Sequence, residues 1–200
     1  MTMNYDRTNY YNKKELKERG WTDVILKKFN IEWDLERPNP HYRSAPTTKL
    51  YLIEKINPIE ETEQFKIEIE KSNKRKKSSI KAIETKKQNL IKLIDELPEP
   101  IIPIIKEKQL YKEALEQYND FYAYVRNRPD KCIKNPNIST KKRLAVNYIR
   151  HQLTHYDEDL DHIFGKVGKD DAYILLKNNT LNAIKKYYPY LEDEVNNQLL

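Results

Sequence analysis

Apolar residues recur at helical spacing along most of this chain, and nowhere do they alternate over many residues as a sheet would require. Residues 13–19 suit a short helix closed by Gly20, and Thr22 caps a second over residues 23–29. Val24, Ile25, Leu26 and Phe29 supply the buried side of that second helix. Residues 30–46 hold Pro38, Pro40 and Pro46 and read as a winding loop. Residues 49–53 (KLYLI) are β-like or the entry to a helix. Two helices, a wing-like excursion and a returning apolar element predict a small winged or MerR-like helical module over residues 13–57, after a loose arm at 1–12.

Asn57-Pro58-Ile59-Glu60 then offers a cap, a first-turn proline and an acid, a strong helix start. No Gly or Pro follows until Pro98, so a single basic helix is expected over residues 58–97, roughly 60 Å long. Ile80, Ile83, Leu90, Ile94 and Leu97 form a seam of near-heptad spacing along it, with Lys87 in the missing slot. Pro98, Pro100 and Pro103 mark a hinge at 98–103 and the expected domain boundary. Beyond it, residues 106–126, 140–164, 170–187 and 191–199 read as helices of a bundle spanning 104–200, with a loop at 127–139. The expected class is mainly α.

Composition narrows the function. The chain is 34% charged and 38% apolar with a mean hydropathy of −0.93, so its cores should be modest and one element should bridge solvent. Fifteen tyrosines, four phenylalanines and two tryptophans argue against disorder. The single cysteine, Cys132, rules out an internal disulfide and a Cys-based zinc ribbon, and suits a reducing, cytoplasmic setting. No apolar run approaches a membrane span. Only Gly20, Gly165 and Gly168 are present, which excludes a P-loop and a dinucleotide fingerprint. No cofactor is called for.

Net charge is +6, and residues 1–97 carry +5 of it. A one-sided excess favours a polyanion, although a solvated basic face looks the same. The candidate nucleic-acid contacts are Lys13, Lys14, Lys17, Arg19, Lys27, Lys28 and Arg43 in the module. Lys71, Lys74, Arg75, Lys76, Lys77, Lys81, Lys86 and Lys87 continue the series on the long helix. Tyr10, Tyr11, Trp21, Trp33 and Tyr42 lie beside them and are of a kind that stacks on bases, while the two tryptophans equally suit a core.

Asn39-Pro40-His41, Lys49-Leu50-Tyr51-Leu52 and the run Lys74 to Lys77 follow one another in an order and spacing that resembles the half of XPA-type DNA-repair proteins after their zinc ribbon. The resemblance covers roughly residues 13–90. It implies DNA contact, rather than RNA contact, through the basic residues of the module and its trailing helix. Two features depart from the family: the ribbon is missing, and Thr47-Thr48 precede Lys49.

Arg150-His151-Gln152-Leu153-Thr154-His155 holds the other candidate chemistry. On one continuous helix His151, His155 and His162 share a face with Glu158, a spacing that suits a metal, yet HQLTH lacks the glutamate of a metalloprotease HExxH. Arg150 and His155 also resemble the R-x4-6-H motif of HEPN ribonucleases, found in toxin and phage-defence systems. That resemblance implies metal-independent RNA cleavage by Arg150 and His155 meeting across a homodimer. Against it stands a plain reading, with Arg150 paired to nearby acids and the histidines as polar helix flanks. A non-catalytic nucleic-acid-binding protein is the leading expectation. A ribonuclease and a helical adaptor pairing through residues 80–97 or through the bundle remain alternatives.

Overall fold

A computed structural model of the chain describes residues 7–39, 44 and 46–199. Pro40, His41, Tyr42 and Arg43 lie outside the described residues. The chain divides into two compact units, residues 1–81 and 82–200. The described residues hold nine α-helices and one three-stranded sheet, so the protein is mainly α.

In the first unit β1 (Tyr10–Asn12), β3 (Thr48–Leu52) and β2 (Leu35–Arg37) form an antiparallel sheet with β3 in the middle. Part of the expected loose arm is therefore an edge strand, with Tyr10 opposite Leu52. Asn12 ends that strand and starts α1 (Lys13–Glu18). Its Oδ1 accepts from the N–H groups of Lys14 and Glu15 at 2.8 and 3.0 Å, and Glu15 accepts the Asn12 N–H at 2.7 Å. This reciprocal box satisfies donors that a bare helix start leaves orphaned.

Gly20 turns the chain at φ +98°, a left-handed conformation that glycine adopts without strain. Thr22 then caps α2 (Asp23–Lys28). Leu16, Trp21, Ile25, Leu26, Tyr51, Ile56 and Phe65 are the buried core. Val24, expected among them, is 69% exposed, because Ile25 and Leu26 are the α2 residues that face this cluster.

The long helix starts later than its sequence signal. Residues around Pro58 belong to α3 (Ile53–Glu60), with the proline inside it. The Asn57 side chain accepts from the Tyr11 hydroxyl at 3.2 Å and from Arg19 at 3.4 Å instead of capping a helix. Thr62 supplies the cap, its Oγ1 accepting from the Phe65 N–H at 3.3 Å, and α4 runs Glu63–Asp95. Its 33 residues span about 50 Å.

Every residue of α4 from 73 to 86 is exposed. A helix that is polar all round draws little from packing and relies on its own propensity. Asn, Ser and Thr are weak helix formers, and Lys77 faces Lys81 one turn on, a repulsive pair. Backbone amides of 73–86 are therefore expected to exchange with deuterium at least tenfold faster than those of 88–95, where Leu90 and Ile94 are buried. Mass spectrometry on peptic fragments reads this directly, and uniform protection along α4 would contradict it.

The division between the units falls inside this bare stretch rather than at Pro98–Pro103. The reason is that the proline segment packs within the second unit. Ile102 is 2% exposed, and the Tyr188 hydroxyl donates to the Pro103 carbonyl at 2.5 Å while accepting from the Ile105 N–H at 3.0 Å.

In the second unit α5 (Glu107–Asp120), α6 (Ile138–Gln152), α8 (Lys169–Tyr187) and α9 (Glu192–Gln198) surround Leu110, Val146, Ile149, Leu181, Ile184, Tyr188 and Leu191. A second cluster joins Leu90 and Ile94 of α4 to Tyr156 and Ile163 of α7 (Tyr156–Ile163) and to Ala172 and Leu176 of α8. The heptad seam is thus split: Leu90 and Ile94 are buried, whereas Ile80 and Ile83 are 58% and 51% exposed. Lys87 in the missing slot pairs with Asp171 at 2.5 Å.

One expected helix, 140–164, is two. The Thr154 hydroxyl donates back to the Arg150 carbonyl at 2.5 Å and accepts from the Tyr156 N–H at 3.2 Å, ending α6 and starting α7. No helix among the described residues is long and apolar enough to cross a membrane.

Candidate nucleic-acid interface

Most basic residues of the helical module are already matched. Lys13 pairs with Asp23 at 2.7 Å and Lys14 with Glu18 at 4.0 Å. Arg19 donates from Nε to Glu60 Oε1 at 2.9 Å, and its Nη2 contacts the other oxygen of the same carboxylate. Glu60 also accepts from Trp21 Nε1 at 2.8 Å, so Arg19 is tied to the core rather than free for a phosphate.

Glu68 takes both Lys28 at 2.7 Å and Lys71 at 3.1 Å. Hydrogen bonds from those two ammonium groups, Lys28 first, hold its carboxyl below the ordinary carboxylate range. Lys17 and Lys27 are exposed and lie close enough to Asp23 to help Lys13 lower its pKa. Glu60 and Glu68 were not foreseen as partners, since they lie some forty residues from Arg19 and Lys28.

Lys74, Arg75, Lys76 and Lys77 are different. All four are exposed, and none has an ion pair among the described residues. At about 100° per residue Lys74, Lys77 and Lys81 fall within about 60° of each other, while Arg75 and Lys76 project from the opposite sides. Lys66 lies on the same strip as Lys77 and was not singled out from sequence, although the spacing 66, 74, 77, 81 carries the signal. It is paired with Glu63 at 2.8 Å. Of the remaining candidates, Lys86 is exposed and Lys87, bonded to Asp171, belongs to the second unit.

The aromatic residues sort themselves by burial. Trp21 is 1% exposed, its ring 4.5 Å from that of Phe65, and is purely core. Trp33 is 44% exposed, with the Lys49 ammonium 3.2 Å from its ring centroid, a cation–π contact at the surface.

The histidine segment does not gather as one helix face, because the break at Thr154 separates His151 on α6 from His162 on α7. No cluster of metal-ligating residues exists among the described residues. Nor is Arg150 paired to an acid there, as the plain reading expected. It contacts Asn147 at 3.2 Å, Gln198 at 3.5 Å and His151 Nε2 at 3.2 Å, with its guanidinium 5.3 Å from the Tyr156 ring centroid. Accepting from Arg150 places the His151 proton on Nδ1, 2.7 Å from Asp157. His155 sits between the helices with an 84% exposed side chain, 3.0 Å from Glu158. Within one chain Arg150 is thus joined to His151, and His155 to Glu158.

No protein family, curated protein or solved structure matches this chain.

Proposed function

We propose that residues 1–81 bind nucleic acid without cutting it, through phosphate contacts centred on Lys74, Arg75, Lys76 and Lys77. The observation that carries this reading is four adjacent cations with no ion pair among the described residues, on a stretch of helix exposed around its whole circumference, beside a module whose other cations are largely matched. A matched lysine must give up its acid before it contacts a phosphate; an unmatched one releases the counterion of the phosphate outright.

The distribution of charge around α4 favours duplex DNA. A helix about 10–12 Å across fits the B-form major groove, where phosphates flank it on both sides. Charges on opposite flanks serve that arrangement, whereas a single strand needs only one charged side. The A-form major groove of duplex RNA is too deep and narrow to admit the helix. Contacts of this kind position the protein on the backbone and carry no base readout.

The test is a fluorescence titration of duplex DNA, single-stranded DNA and duplex RNA over a salt series. Duplex DNA should bind tightest, with log K falling against log salt at a slope of about −3 to −4. An affinity indifferent to salt would remove the proposal. The ribonuclease alternative has no comparable observation behind it; RNA cleavage in EDTA, lost in His155→Ala, is what it requires.

A further inference from the structure

The second unit contains a cleft that none of the candidate nucleic-acid contacts lines. Two hollows of about 430 and 340 Å³ adjoin where the Pro98–Pro103 segment crosses α7 and α8. Leu97, Pro98, Glu99, Pro100, Asp159 and Thr180 line both, so the two are lobes of one cleft. Its size falls in the range of small-molecule sites, and its walls are largely hydrocarbon: Ile94 and Leu176 extend one lobe, Ile101 and Tyr156 the other.

The ionisable groups of the walls are matched among themselves, with one exception. Glu99 holds Lys186 at 2.8 and 3.0 Å, and Glu158 holds His155 at 3.0 Å. The Asp159 side chain, half-buried where the lobes meet, has no hydrogen bond or ion pair among the described residues. Burial keeps its carboxyl above the ordinary range, against the pull of His155 and His162. Thr180, which lines both lobes, spends its hydroxyl on the Leu176 carbonyl at 2.9 Å. A carboxylate between largely apolar walls, with no hydrogen bond among the described residues, is complementary to one cation carrying hydrocarbon.

We infer that this cleft binds a small organic monoamine, its ammonium on Asp159 and its apolar arm along Leu97, Pro98 and Pro100. The ammonium donates the hydrogen bonds that Asp159 lacks. The arm displaces water from the proline wall. Glu99, already neutralised by Lys186, does not attract a second cation.

Calorimetric titration of the full chain with hexylammonium, hexanol and hexanoate tests the assignment. Hexylammonium should bind one to one and at least tenfold more tightly than hexanol, hexanoate should give no heat, and affinity should rise up to about fourfold per methylene from butyl- to hexylammonium. Asp159→Asn should lose tenfold or more while melting no lower than wild type, since the neutral amide is spared the burial of a charge. Asn179→Trp, which fills the larger lobe from an exposed position on α8, should abolish binding without unfolding the protein. Asp161→Asn, an exposed carboxylate on the same helix, should change nothing. Hexylammonium binding no better than hexanol, no heat at millimolar amine, or equal affinities in wild type and Asp159→Asn would each overturn the assignment.

Discussion

A variant with Lys74, Arg75, Lys76 and Lys77 all replaced by glutamine is expected to lose most of its affinity for duplex DNA and nearly all of its salt dependence. Each phosphate neutralised contributes about 0.9 to the slope of log K against log salt, so four such contacts account for about 3.6. With that slope the natural protein weakens about a hundredfold between 50 and 200 mM salt, and the variant should barely respond. Glutamine has nearly the helix propensity of lysine and arginine, and its introduction relieves like-charge repulsion along α4, so circular dichroism should show an intact fold. The companion variant Lys13→Gln, Arg19→Gln, Lys28→Gln removes nearly as much charge from the module, but from residues held by Asp23, Glu60 and Glu68. It should leave the slope within about one of wild type. If the quadruple and the triple variant weaken binding equally, charge total rather than the unmatched turn of α4 governs the interaction.

Trp21→Ala is expected to unfold the first unit while leaving the second folded. Trp21 is 1% exposed, its ring packs against Phe65 at 4.5 Å and edge-on to Phe29 at 5.9 Å, and its Nε1 donates to Glu60. Truncating a buried aromatic of this size costs about 3–5 kcal/mol, before counting the donor that Glu60 loses. A unit of about 80 residues has only about 4–12 kcal/mol of total stability, so little or none would remain. Hydrogen exchange would report it: protection should vanish in α1, α2 and β3 and persist around Ile149 and Ile184, which belong to a separate core. Trp21→Phe keeps the stack, loses only the hydrogen bond, and should cost about 1–2 kcal/mol. A melt in which both units lose protection together in Trp21→Ala would show that their stabilities are coupled.

Several elements could be read directly from the chain because they rest on neighbours. The cap at Thr22, the turn at Gly20 and the basic run depend on residues within four positions of each other. The break at Thr154 is equally local, yet hydroxyl back-bonding competes with helix continuation at equal sequence cost, and the periodicity of 140–164 concealed it. The start of α4 was misplaced for another reason. Asn57-Pro58 is a sound local cap signal, but Tyr11 and Arg19, 46 and 38 residues away, claim the Asn57 side chain.

Of the candidate sites, the strip on α4 was legible, and its selectivity was not. Fifteen candidate cations look alike in a sequence; Glu60 and Glu68 distinguish matched from unmatched by folding back on the module. The cleft around Asp159 left no signal at all, since its walls come from residues 94–101, 154–159 and 176–186.

The sequence alone therefore determined the helical class, the bias of positive charge toward the first half and the polar run in α4, all consequences of short-range spacing and composition. Tertiary structure decided which lysines are spent on carboxylates, where the chain divides, that Arg150 meets His151, and that Asp159 lines a largely apolar cleft with no partner among the described residues. Those outcomes depend on which distant side chains come within a few ångströms of each other, and pairing of that kind has no periodicity to read along the chain.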